Sequence, residues 1–220
     1  MNEATLVILI LLSIIITFCL YKMLDKRGLY FLIILFSIIS FVLSFKVAYV
    51  LKMNINAGII PLCALLSVLF LFISKYGILE KKNILLLTLY SNIIIALLLT
   101  VTNYFDPAIT ETISINMEET FQYNYKFLIA YPLVITLSEY IVIKLYNLVS
   151  QIQSNFIVSC VLTYIISSLI YTVLFYVIGY YNTIDIKYSL FIGISTYILG
   201  FIITIINTIV YNTMTKKKVI

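Results

Sequence analysis

Histidine and tryptophan are missing from this chain, and charge is scarce: 10% of its 220 residues are Asp, Glu, Lys or Arg. Without imidazole there is no histidine ligand and no proton shuttle of the usual kind near neutral pH. Cysteine is also rare. Cys19, Cys63 and Cys160 are odd in number, lie inside apolar runs and have no metal-like spacing, which argues against a disulfide framework or a zinc site. No glycine-rich phosphate-cradling loop occurs, so nucleotide hydrolysis by this chain alone is not expected. The serines sit in apolar stretches, and only Glu139 is placed as a candidate base, so an intramembrane hydrolase is not expected either. No cofactor and no nucleic acid partner is indicated.

What fills the chain instead is hydrocarbon: 63% of residues are hydrophobic and the mean hydropathy is +1.14. Ordinary soluble domains carry about a quarter charged residues. Repeated apolar runs reach or approach the roughly 20 residues needed to cross a bilayer core. The composition therefore predicts an all-α, polytopic transmembrane bundle forming one integral membrane domain over residues 1–220. Helices are expected near 4–21, 29–51, 57–74, 84–102, 127–149, 155–179 and 188–213. The first run lacks basic residues ahead of it and a small-residue cleavage site after it, so it reads as a retained helix. The third is short, and Pro61 in its first turn fits either a helix start or the break of a re-entrant segment.

With seven crossings and the N-terminus outside, the inner side receives Lys22, Lys26, Arg27, Lys75, Lys81, Lys82, Lys144 and Lys216 to Lys218. Only Lys46, Lys52, Lys126 and Lys187 fall outside, so the positive-inside bias favours N-out and C-in. The acidic loop 103–126, with Asp106, Glu111, Glu118 and Glu119, then faces outward. The Ile-, Lys-, Asn- and Tyr-rich composition fits a low-GC bacterium and a multi-pass protein of its cytoplasmic membrane. The "TKKKVI" tail reads as a solvated cytoplasmic end.

Polar side chains in lipid turn toward other helices or a cavity. One stripe runs Ser159, Thr163, Ser167, Tyr171; another Gly193, Gly200, Asn207, beside Tyr197, Thr204 and Tyr211. Shorter stripes run Ser37, Ser40, Ser44 and Asn92, Ala96, Thr100, Asn103. Two readings stay open: close helix packing with hydroxyls bonded back to the i−4 carbonyl, or convergence on a solute cavity. Glu139 sharpens the question. It lies thirteen residues past Lys126, about 20 Å along a helix, deep in the apolar layer. Lys144, five positions on, is about 140° round the helix, a poor partner that snorkels more readily to the interface. The acid must be protonated, paired with another helix or wetted by a cavity. It either lines a binding or ion pathway or ties the structure together. Thr136 and Pro132 share its face.

Several stretches resemble the VUT (vitamin uptake transporter) family, also called the queuosine precursor transporter or YhhQ family, in a branch with an extra leading helix. These are "MNE" with "DKRGLY", Lys46, "KYGILEKK", "TLSE" and "TYILGFIITIINT". Gly28, Leu29, Tyr30, Lys46, Tyr76, Gly77, Thr196 and Tyr197 match the family pattern. Glu139 falls on the acidic position of its Gln-x-x-Asp motif, with Thr136 replacing Gln. Elsewhere the pattern is lost. Phe41-Val42-Leu43 stands for Asn-x-Gln, Phe70 and Ser74 replace an acidic pair, and Tyr164-Ile-Ile-Ser167 replaces a second Gln-x-x-Asp. Gly200 and Asn207 stand where the family has Lys and Asp. The resemblance implies import of a small organic solute such as a deazapurine, held among helices 2, 5, 6 and 7. Glu139, Thr136, Tyr164, Ser167, Tyr171, Tyr197 and Asn207 would bind the solute or carry a coupling proton. Loss of most intramembrane charge implies a changed or weakened preference, or a family-derived scaffold or accessory subunit that does not transport. Expected partners are the solute and the bilayer, with a homo-oligomer or a separate energising module left open.

Overall fold

The structure, a computed structural model, describes residues 2–102, 125–179 and 185–215. The acidic segment 103–124 and the 216–220 tail lie outside the described residues. The elements are α1 (Asn2–Leu43), β1 (Val47–Val50), β2 (Met53–Asn56), α2 (Ile59–Tyr76), α3 (Lys81–Thr102), α4 (Tyr125–Ile152), α5 (Phe156–Gly179) and α6 (Ile186–Thr215). All six helices are long and apolar enough to cross a membrane, so the chain is an all-α bundle of the multi-pass membrane kind with one small hairpin added.

At about 1.5 Å per residue, 42 helical residues laid straight would span roughly 63 Å, twice a bilayer core. α1 does not run straight. Asp25 leaves helical geometry at φ 48°, ψ −119°, and the chain doubles back there. A Cβ on Gly28 would lie 2.3 Å from the Leu20 carbonyl oxygen, whereas residues eight apart in one helix are separated by about 12 Å. At the far end, the Glu3 carboxylate reaches the backbone of Leu51. The arms 2–24 and 26–43 are therefore an antiparallel pair, and glycine at 28 permits their close approach.

The helix expected over 29–51 ends early, at Leu43. Residues 47–56 form an antiparallel hairpin pairing Val47 with Asn56 and Val50 with Met53. Its two-residue turn, Leu51 and Lys52, has φ of 50° and 61°, the left-handed pair that fits the twist of a tight hairpin. "VAYVL" continues the apolar run of the helix, and periodicity alone does not separate a short apolar strand from a helix end.

The short third segment is a complete 18-residue helix, and Pro61 sits in its first turn, where a missing N–H leaves no bond unmade. Every residue from Ile59 to Ile73 is buried. A helix hydrophobic nearly all round belongs in the middle, and α2 packs against α1, α6, α4 and α5. In contrast, α3 turns Leu87, Ile94, Leu97 and Leu98 outward, as a lipid-facing helix should.

Polar contacts fasten both ends of α2. At the hairpin end, Asn56 donates through Nδ2 to Ser44 O (3.0 Å) and accepts from the Gly58 N–H (2.8 Å), while its own N–H reaches Thr196 Oγ1 on α6 (3.0 Å). Ser40 Oγ donates to Gly58 O (2.8 Å) and accepts from Tyr131 Oη of α4 (2.7 Å). At the other end, Gly77 closes α2 at φ 74° and its N–H bonds Ile73 O. Tyr76 Oη donates to Asp25 (2.6 Å), and the Glu80 carboxylate accepts from Lys26 and Tyr30. The Lys75 ammonium lies 5.2 Å from the Tyr21 ring centroid.

Two outcomes follow. Gly28→Ala should lower the melting temperature in detergent by the equivalent of about 1–3 kcal/mol, the usual cost of forcing extra bulk into a filled contact; an unchanged melting temperature would mean the arms do not touch at Gly28. Lys26 and Tyr30 hold the Glu80 carboxyl below its ordinary value of 4.5. That stabilisation is complete above the ordinary value and is lost as pH falls through the depressed one. Glu80→Gln should therefore melt lower than the parent at neutral pH, with the gap closing as pH is taken below 4.5.

Candidate functional site

Glu139 is fully buried on α4. Its Oε2 lies 2.6 Å from Thr88 Oγ1 on α3, and its Oε1 has no hydrogen-bond partner. One helical turn along α3, Asn92 donates through Nδ2 to Thr88 O (2.9 Å) and to Ser37 Oγ of α1 (2.7 Å), leaving its Oδ1 unpartnered. Ser37, Thr88, Asn92 and Glu139 are each 0% exposed, so this chain of contacts joins three helices inside the apolar layer. Lys144 takes no part. Its ammonium stands 4.6 Å from the Tyr140 ring centroid, one turn back on its own helix.

A second polar group lies on another seam, where α2, α5 and α6 meet. Cys63 Sγ donates to Gly200 O at 3.4 Å. Tyr164 Oη presses on Gly200, whose absent Cβ would sit 2.1 Å from it. The hydroxyl lies near Cys63 and Ser168, yet it makes no formed hydrogen bond. Thr204 Oγ1, which lies near Cys63, and both polar atoms of the Asn207 amide are also buried and make no formed hydrogen bond among the described residues. From Gly200 to Asn207 is seven residues, about 10 Å of helix. Buried polar atoms in native structures are overwhelmingly satisfied, so four orphan atoms, one on α5 and three on α6, are unusual.

Two small cavities adjoin the seam. One is lined by Ser138, Tyr164, Ser167, Ser168, Tyr171 and Thr172 with Ile59 and Leu62 of α2; the other by Asn56, Tyr171, Thr172, Phe175, Tyr176 and Thr196. Each holds about 10 Å³, room for roughly one water.

The site residues expected from sequence thus divide. Tyr164, Ser167 and Tyr171 share one cavity. Ser167 spends its hydroxyl on Thr163 O (2.7 Å), as Thr163 does on Ser159 O (2.8 Å). Tyr197 stacks on Tyr164 at 6.3 Å and donates to Ile165 O (3.3 Å). Asn207 lies further along α6 with no partner. Thr136 bonds back to Pro132 O (2.7 Å). Glu139 bonds toward α3 instead, while its neighbour Ser138 turns to the cavity. Of the remaining stripe, Thr100 is exposed and bonds back to Ala96 O (2.7 Å). Thr88, Cys63 and their roles were not singled out from sequence. Thr88 extends the Asn92 stripe by one turn, a signal that was there to read.

No family model, no curated protein and no solved structure matches this chain.

The two polar groups should respond oppositely to an apolar replacement of similar size. Asn92→Leu removes two made bonds and should cost about 1 kcal/mol in thermal stability. Asn207→Leu removes only unpartnered atoms, whose burial costs about 1–3 kcal/mol, and should leave the melting temperature unchanged or raise it. Equal losses for both in the same detergent would show that Asn207 has a partner within the chain.

Proposed function

We propose that this chain is a multi-pass transporter of a small, fairly flat organic solute in a bacterial cytoplasmic membrane, related to the VUT or queuosine precursor family. The observation that carries the reading is the row of buried, unpartnered polar atoms on α5 and α6, Tyr164 Oη, Thr204 Oγ1 and the Asn207 amide. Polar groups inside a membrane are costly and mark solute or ion pathways. Here they offer donors and acceptors that the chain itself does not use. Tyr164 and Tyr197 add ring faces beside them. With cavities the size of one water, this conformation is closed, and α2, α5 and α6 must part to admit a solute.

The doubled-back α1 makes seven crossings from six helices. Lys26, Lys75, Lys81 and Lys82 gather at the Asp25 end, and Lys46, Lys52 and Lys187 at the hairpin end. The positive-inside rule then puts the N-terminus outside and the C-terminus inside.

A scaffold or accessory subunit that does not transport is the second reading. The small cavities and the largely apolar α2 favour it. Uptake of labelled deazapurines in a transport-deficient host separates the two. Transport predicts accumulation above the empty host, reduced by Asn207→Leu at unchanged membrane expression. No accumulation at normal expression would sink the deazapurine assignment.

A further inference from the structure

The contacts around Thr88 do not balance if Glu139 is ionised. Thr88 Oγ1 lies 2.8 Å from Ile84 O and 2.6 Å from Glu139 Oε2, both hydrogen-bonding distances. A hydroxyl has one proton to give. The Ile84 carbonyl accepts only, and so does a carboxylate. With a charged Glu139, one of the two short contacts would set oxygen against oxygen with no proton between them. A neutral acid removes the conflict: Oε2–H donates to Thr88 Oγ1, and Thr88 donates to Ile84 O. Every proton is then used once.

The surroundings agree. From α3 the acid meets Thr88, and through it Asn92, neither titratable in water's range. From α1 the nearest link is Ser37, joined through Asn92. On α4 itself, Tyr131 feels the acid but gives its hydroxyl to Ser40, and Lys144 is stacked on Tyr140. α2 presents apolar side chains along its buried length except Cys63, which donates to Gly200 O, and Ser67, which donates to Cys63 O, and Lys75 lies at its end beside Tyr21. On α5, Cys160 lies near Tyr146 and Tyr164 packs at Gly200. Lys81 and Lys82 stand at the start of α3, about two turns from Thr88. Among the described residues, Glu139 makes no ion pair.

We propose that Glu139 is a proton-binding site, protonated while α1, α3 and α4 are closed on one another, and that giving up its proton releases the α3–α4 seam. Loss of the proton to water would leave the Thr88 hydroxyl between two acceptors and a bare charge in the apolar layer. Both faults are relieved only if the helices part and water or another donor enters. Asn92 would keep α3 tied to α1 through Ser37, so the seam that yields is the one between α3 and α4. As the coupling ion of solute movement, this proton rests on the transporter reading; as a bound proton, it does not.

Infrared difference spectroscopy of the purified full chain in nanodiscs tests the site without a solute. At neutral pH the parent should show the carbonyl stretch of a buried protonated carboxylic acid, and Glu139→Gln should lose it. Thr88→Val should shift that band to higher frequency by removing the acceptor of the acid proton, whereas Thr88→Ser should leave it in place. Absence of the band from the parent, or its persistence in Glu139→Gln, would overturn the proposal. Should Glu139→Gln fail to fold, the Thr88 pair decides: a band identical in Thr88→Val and Thr88→Ser refutes the contact. A silent deazapurine uptake assay with the band present would reject the deazapurine assignment and keep the proton site.

Discussion

Apart from Cys63 and Ser67, α2 buries only apolar side chains, and everything else is arranged around that fact. A helix that is Ile, Leu and Phe on all sides can lie in lipid anywhere, because neighbouring helices are no more apolar than the acyl chains; burial alone does not position it. What fixes it is polar chemistry at its two ends. Asn56, Gly58, Ser40 and Ser44 fasten the start to α1, and Thr196 and Tyr131 bring in α6 and α4. Gly77, Tyr76 and Glu80 fasten the finish to the Asp25 corner. Between the two clamps, tight packing around Phe70, Phe72 and Leu69 fills the middle.

The same arrangement gives a meaning to the residues that suggested a family. Gly28, Tyr30, Tyr76, Gly77 and Thr196 are corner residues: one permits a close crossing, three shape or hold the Asp25 end, and one receives the hairpin. They serve the scaffold. Of the positions at which the chain departs from that pattern, Phe41, Phe70, Tyr164, Ser167 and Asn207 lie in the interior, while Ser74 is exposed. Phe70 is fully buried and stacks at 5.2 Å on Tyr146. Ser167 satisfies itself on its own helix. Tyr164 and Asn207 keep polar atoms without a formed hydrogen bond. A frame can stay constant while its interior sheds charge, provided the whole network goes together, since a half-removed network leaves buried groups unpaired.

Glu139 and Asn207 show two different ways a polar group persists in hydrocarbon. Glu139 is half tied, with one oxygen engaged by Thr88 and the other free, in a network that also holds α1. Asn207 is wholly untied. They lie on different helices: Glu139 meets Thr88 of α3, and Asn207 sits on α6 beyond Thr204.

The all-α class, the apolar helices, the inward-facing Ser and Thr stripe of α5 and the isolation of Glu139 from Lys144 are legible in sequence, because hydrophobic period and helical angle are properties of one segment. The hairpin at 47–56 is not, since its apolar residues extend the helical run and only pairing across the turn tells strand from helix. The reversal between the first two apolar runs is readable from the charged residues Lys22 to Arg27 that part them, but its confinement to a single residue, Asp25, is not. Which helix lies in the centre, which residue of α3 meets Glu139, and which polar atoms go without partners are all decided by packing between segments. A sequence gives each side chain its chemistry and its angle round a helix; the partner on the other side of that angle exists only once the helices are assembled.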